Sequence, residues 1–241
     1  MYAENTSVQD DVLAVLGSLA KQKTSLRLTK PFRGITLTQD VKILDVNQER
    51  AVFQVSEIKI FAALEGQVHL HSQVFSRPVT AHLRDLSIGK GMFVLSDFAY
   101  IHGDWKERFH ERVRPKSPTY ISLQCKRKSM RVSLETLSVN GMGVLACKVI
   151  VRDMKVQPPS NVLLDFQLPP DYNWIDLKGK IVRIHEIGRT LVSTGIRLHP
   201  NAKQARSLET YIDHRKKEIV EELDQAYFAA SQPRGVEWQY F

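Results

Sequence analysis

Thr136-Leu137-Ser138-Val139-Asn140-Gly141-Met142-Gly143-Val144-Leu145-Ala146 is the stretch on which the fold turns. Taken from Gly141 it spells Gly-x-Gly-x-x-Ala, the spacing of a turn that cradles a pyrophosphate between a strand and a helix. Taken from Thr136 it is a hydroxyl-rich turn running into apolar sequence. A dinucleotide turn needs a helix behind it. The next residues are Cys147-Lys148-Val149-Ile150-Val151-Arg152, rich in β-branched side chains. The stretch is therefore read as β structure, with strands over 130–137 and 142–152 and glycines that shape a β turn.

Working outward, further strands are predicted over 119–126, 161–168, 178–186 and 190–197, punctuated by Pro158-Pro159 and Pro169-Pro170. Lys178–Ile184 and Val192–Leu198 form an antiparallel pair with one buried face. From Asn201 the period changes to helical. Leu208, Tyr211, Ile212, Ile219, Leu223 and Tyr227 make an apolar stripe that ends near Ser231-Gln232-Pro233. Trp238, Tyr240 and Phe241 lie in a short tail.

Upstream, Asp10-Asp11 ahead of Val12, Leu13, Val15, Leu16 and Leu19 predicts a short amphipathic helix over 10–22. Period-two patterning continues through Val41, Ile43 and Val46, then Val52, Phe53 and Val55, then Ile58, Ile60 and Phe61, then Val68 and Leu70. Arg77-Pro78, Gly89-Lys90-Gly91 and Gly103 break it. The fold class is mainly β: two small β-barrels with a C-terminal α-helix. The expected division is 1–103 for an N-terminal β-barrel domain, 104–117 for a basic linker, 118–230 for a second barrel with its helix, and 231–241 for a tail.

Composition narrows the function. Apolar residues make up 43% of the chain and charged residues 25%, as in ordinary soluble globular proteins. No apolar run is long enough to span a bilayer as a helix, and Met1-Tyr2-Ala3-Glu4-Asn5 lacks the pattern of a secretory signal, so a cytoplasmic location without membrane insertion is expected. Cys125 and Cys147 fit no metal spacing and are read as reduced, buried thiols. Eight histidines complete no ligand set, so no metal and no cofactor are expected. Ser138 lacks a nucleophile elbow, and no enzyme activity is expected. The net charge of +8 is unevenly spread: residues 1–104 hold 11 Lys+Arg and 11 Asp+Glu, and residues 105–241 hold 23 and 15. The basic half points to an anionic partner.

Arg108-Phe109-His110-Glu111-Arg112 opens that half, with Arg114 close behind. Arginine forks can bind phosphate oxygens or guanine O6/N7 in pairs, and their faces stack on bases. Ser138 offers a hydroxyl to a phosphate or a base edge. Gly141 permits a positive φ or a close backbone approach. His110 lies between the arginines.

On these residues the stretch from about 105 to 215 resembles a PilZ domain. The family pattern is Arg-x-x-x-Arg, then Asp/Asn-x-Ser-x-x-Gly, then a late strand ending Gly-Ile/Val-x-Phe/Leu, then a helix. Arg108 and Arg112 match the first motif, Ser138 and Gly141 the second, and Gly195-Ile196-Arg197-Leu198 the strand. By layout, the N-terminal half is similar to the split barrel of YcgR-type flagellar-brake proteins. The resemblance implies a bacterial receptor for the second messenger cyclic di-GMP, held by Arg108, Arg112, Arg114, Thr136, Ser138, Asn140 and Gly141. It also implies that ligand binding changes the orientation of the two barrels and so regulates a protein partner of the flagellar motor or of polysaccharide or pilus machinery. One position departs from the pattern: Thr136 stands where the family has Asp or Asn to read the guanine edge. A lost hydrogen bond of that kind costs on the order of 1.5–3 kcal/mol, roughly ten- to a hundredfold in affinity. Asn140 and Glu135 are the neighbours able to compensate. The alternative function is a degenerate PilZ adaptor that binds protein without nucleotide. Nucleic-acid binding through Arg108–Lys116 and Lys126-Arg127-Lys128 with Arg131 ranks last, for want of a recognised motif.

Overall fold

In the computed structural model, residues 3–55, 58–101, 111–169 and 174–231 are described. The chain divides into two compact units, one of residues 1–32, 36–107 and 220–241, the other of residues 33–35 and 108–219.

The first unit opens with α1 (Ala3–Lys21), longer at its start than the predicted 10–22. Its stripe Val12, Leu13, Leu16 and Leu19 is buried in the same apolar cluster as the strands. The barrel is built from β1 (Leu26–Phe32), β2 (Ile35–Val46), β3 (Arg50–Val55), β4 (Gln67–His71), β5 (Val79–Ser87) and β6 (Met92–Tyr100). They close in the order β1-β2-β3-β6-β5-β4. Phe53 and Phe93 stack at its centre with ring centroids 5.3 Å apart. Ile58–Ala63 forms a 3-10 helix rather than the expected strand. The β1–β2 hairpin turns through Arg33 (φ 48) and Gly34 (φ 95), the two positive φ values that a two-residue I′ turn demands.

The second barrel contains β7 (Tyr120–Cys125), β8 (Lys128–Ser138), β9 (Gly141–Cys147), β10 (Asn161–Gln167), β11 (Trp174–Ile187) and β12 (Leu191–Leu198). They close in the order β10-β11-β12-β9-β8-β7. Its interior holds Ile121, Leu123, Val132, Leu134, Leu137, Met142, Val144, Leu164, Phe166, Ile181 and Ile196. Two closed barrels and a terminal helix confirm the expected fold class.

Two local expectations fail for one reason. The strand predicted over 142–152 stops at Cys147, which pairs with Leu191, the first residue of β12. One more backbone bond follows, from Lys148 N–H to Thr190 O at 2.9 Å, and there β12 and its ladder end. The chain turns into α2 (Lys148–Asp153), which buries Val151 and leaves Val149 and Ile150 exposed. β-branched residues follow the available hydrogen bonds, not their propensity. At that junction Cys147 is exposed, whereas Cys125 is buried as expected. A helix does succeed the Gly-x-Gly-x-x-Ala segment, but the glycines lie inside an antiparallel strand, so no dinucleotide turn forms.

α3 (Ala202–Ser231) begins with a reciprocal cap. Gln204 N–H donates to Asn201 Oδ1 at 2.9 Å, and Asn201 N–H donates to Gln204 Oε1 at 2.8 Å. Leu208, Tyr211, Ile212 and Ile219 of its apolar stripe are buried.

Candidate functional site

The site begins with Val113, a fully buried side chain in the middle of the basic segment. It forms an isolated antiparallel bridge to β8: Val113 N–H donates to Leu137 O at 2.8 Å, and Leu137 N–H donates to Val113 O at 2.9 Å. Burial of a valine contributes about 1.5–2 kcal/mol, and each bond adds roughly 0.5–1.5 kcal/mol. That fixes the neighbouring Arg112 against the end of β8. One of its terminal guanidinium nitrogens lies 3.5 Å from where a Cβ on Gly141 would stand. Gly141 has no positive φ, and a Cβ there would meet Ser138 Oγ, Arg112 and Ile196 O at the ordinary contact distances of 3.4–3.6 Å, so neither reason the sequence allowed makes a glycine obligatory at this position.

Arg114 is held by its backbone, and its side chain is exposed. Its N–H donates to Arg33 O at 2.7 Å, and its carbonyl accepts Arg215 Nε at 2.8 Å. Arg215, only 1% exposed, also pairs with Glu218 at 3.1 Å. Glu111 pairs with Lys216 of α3. A Cβ on Gly34 would meet Arg112 O at 2.9 Å and Arg114 N at 3.0 Å, so this turn also needs a glycine.

Ser138 closes the β8–β9 hairpin by donating its hydroxyl to Gly141 O at 3.0 Å, and it is buried. Asn140, at the exposed tip, accepts Leu198 N–H on its carbonyl at 3.1 Å. Thr136 stands one pair further along: its Oγ1 lies 2.7 Å from where a Cβ on Gly143 would stand. The structure therefore brings Arg112, Ser138 and Gly141 together, with Thr136 and Asn140 on either side. Arg108 and His110 lie outside the described residues.

Register across the barrel shows what the motif reading missed. Ser138, Gly141, Arg197 and Lys180 pair in one row, and Thr136, Gly143, Gly195 and Arg183 pair in the next. Gly143 and Gly195 carry no side chain on the outer face and are themselves buried, Gly143 beneath Thr136 and Glu135 and Gly195 beneath Arg183. Arg183 folds over Gly195, its Cγ 2.9 Å and its Nε 3.2 Å from the missing Cβ. Arg183, Arg197 and Lys180 are exposed, and with Arg112 they place four cations around a floor of three glycines. Such a face suits a flat dianion: glycines admit a ring and cations meet phosphates. The signal that could have found Arg197 and Lys180 was parity. In the predicted pair Lys178–Ile184 and Val192–Leu198, parity puts Arg197 and Lys180 opposite the buried residues, whereas Arg183 shares the parity of the buried Ile181 and is turned outward by the bulge at Ile181/Arg183.

A cavity of about 840 Å³ lies elsewhere in this unit, lined by Lys116, Tyr120, Arg131, Trp174, Tyr211 and His214 among others, and by none of the motif residues. The candidate site is an open sheet face. Among the described residues, no group of three or more His, Cys, Asp or Glu is placed to hold a metal ion.

Comparison with known proteins adds a family. Residues 106–214 match the PilZ domain. Among solved structures, YcgR from Escherichia coli in complex with c-di-GMP is 18% identical, covering 89% of this chain and 93% of that one, with a TM-score of 0.44. The Bacillus subtilis inhibitor of motility (MotI/DgrA) is 11% identical, covering 80% and 96%, with a TM-score of 0.42. The K. pneumonia MrkH–c-di-GMP complex is 11% identical, covering 90% and 96%, with a TM-score of 0.44. No curated protein matches the sequence.

Proposed function

We propose that this PilZ-domain protein is a cyclic di-GMP receptor that works by binding alone. The ligand lies on the outer face of β8, β9, β12 and β11. Arg108, Arg112 and Arg114 engage it from the linker, and Thr136, Ser138, Asn140 and Gly141 from the hairpin. The observation that carries the reading is Arg112, preset over Gly141 by the Val113–Leu137 bridge before any ligand arrives. Preorganisation of that kind lowers the ordering cost of binding.

Arg108 and Arg112 stand on the segment that joins the two barrels in the chain. A ligand gripping both takes freedom from that joint and shifts the population of barrel orientations. A protein partner reads the shifted population, with motility or surface-polysaccharide control as the output. The ligand places the protein in the bacterial cytoplasm. Among the described residues no helix is long and apolar enough to cross a membrane.

Isothermal titration with cyclic di-GMP, with GTP and cyclic AMP as controls, tests this directly. Micromolar or tighter binding of cyclic di-GMP alone is expected, lost in Arg108→Ala and Arg112→Ala with an unchanged melting temperature. Unchanged affinity in both variants would refute the site. No heat from the parent protein would favour the second reading, a nucleotide-independent adaptor, for which Thr136 is the specific observation.

A further inference from the structure

We infer that Glu135, and not Thr136, reads the guanine base of the ligand; this rests on the cyclic di-GMP reading above. The reason is a β-bulge. Leu134 pairs with Val144 and Thr136 pairs with Gly143, so β8 spends two residues where β9 spends one. In an unbroken strand Glu135 and Thr136 would point to opposite faces. Here the buried side chains on either side of them are Leu134 and Leu137, and both intervening residues turn outward. They converge on one place: Thr136 Oγ1 lies 2.7 Å and Glu135 Oε2 lies 3.8 Å from the missing Cβ of Gly143.

Ser193 holds the carboxylate there. Its hydroxyl donates to Glu135 Oε2 at 3.2 Å from β12, drawing the side chain across β9 and over the glycine floor. Glu135 is therefore held in place on the sheet.

The cations and the hydroxyl around this floor are wrong for the task, and Asn140, at the exposed hairpin tip, offers a single amide oxygen. The Watson–Crick edge of guanine presents two adjacent donors, N1–H and the N2 amino group. Arginines and lysines have no acceptor, and a threonine hydroxyl cannot take two donors side by side as a carboxylate can. Arg183, folded over Gly195, suits the opposite edge, O6 and N7. A carboxylate at Glu135 also rejects adenine, which turns the N1 lone pair toward it and leaves the acid unpaired. The carboxylate that a one-residue motif comparison finds missing at position 136 is supplied by the residue before it, brought round by the bulge.

The test is titration of the full chain and its variants with cyclic di-GMP and cyclic di-AMP. Glu135→Ala is expected to weaken cyclic di-GMP binding roughly ten- to a hundredfold and to narrow its advantage over cyclic di-AMP. Glu135→Gln, which keeps the length and one acceptor, falls between. Thr136→Ala, which removes a hydroxyl able to meet one donor at most, weakens binding less than Glu135→Ala does. Glu135 is partly exposed, and melting curves establish that each variant is folded. If Arg112→Ala abolishes binding while Glu135→Ala binds like the parent, the site stands and Glu135 is not its reader. If the parent protein binds no cyclic di-GMP at all, the receptor reading fails and this inference fails with it.

Discussion

The two barrels are the same lattice with different residues standing on it. Counted from its own first strand, each closes in the order first-second-third-sixth-fifth-fourth. Each places a short helix between its third and fourth strands, Ile58–Ala63 in one and Lys148–Asp153 in the other. Each shifts register between its second and third strands, at Ile43/Asp45 and at Leu134/Thr136. Each shifts again between its fifth and sixth, at Leu83/Asp85 and at Ile181/Arg183. The row just past these bulges can be compared residue by residue. In the second barrel it is Thr136, Gly143, Gly195 and Arg183; in the first it is Asp45, Val52, Val94 and Asp85. Valines stand where the second barrel has glycines, and a carboxylate stands where it has the arginine. Topology supplies the same platform twice, and under the proposed reading the four residues of this row set the anion-holding copy apart from the other.

The sharpest way to break the comparison is to give the second barrel the first barrel's floor. Gly143→Val and Gly195→Val should each weaken cyclic di-GMP binding on the order of a hundredfold, about 2.7 kcal/mol. The added side chains displace only Thr136 Oγ1 and the flexible Arg183 side chain, so the fold should persist. Titration beside a melting curve reads both effects, and retained affinity in a folded variant would place the ligand elsewhere. Arg183→Asp copies the end of the row. It should cost roughly tenfold at low ionic strength and flatten the salt dependence, because one cation no longer meets phosphate.

Stability offers a gentler contrast. Tyr211 is buried on the apolar face of α3, and burial pushes its phenol up to about 12 from the ordinary 10.0. Tyr100 in the first unit is only partly buried; burial also raises it, as does the bond it donates to Asp11 at 2.8 Å. The raised value at Tyr211 means that the folded protein keeps a proton the unfolded chain has lost. Its contribution is complete below pH 10 and disappears as pH rises toward about 12. Roughly 2–3 kcal/mol is at stake. Denaturant midpoints on either side of that window should therefore fall more steeply in the parent than in Tyr211→Phe; equal slopes would show that Tyr211 titrates normally.

The sequence declared both barrels through period-two runs and the terminal helix through the stripe from Leu208. It also placed Ser138 and Gly141 on one hairpin. What it could not declare was register. Motif spacing names residues along one hairpin, whereas Arg197 stands on β12 and Arg183 and Lys180 on β11, across the sheet from it. The bulge at Leu134/Thr136 hides Glu135 from any strict alternation rule, since alternation sends neighbours to opposite faces. The end of β9 was hidden in a similar way: Val149, Ile150 and Val151 look like strand until the partner strand runs out.

Gly34 places the adjustment of the site outside its own chemistry. It offers no charge, no donor beyond its backbone and no ligand contact. Yet the arginine segment crosses it at a distance that leaves no room for a methyl group. With the Val113–Leu137 bridge, the thickness of that crossing would bear on how far Arg112 stands from the proposed ligand, as a shim sets a gap between two machined parts. A substitution there would move the reading head while leaving every recognition side chain intact. In the proposed receptor, sensitivity to the ligand would therefore drift through a turn far upstream in the chain, in a region where a motif search has no reason to look.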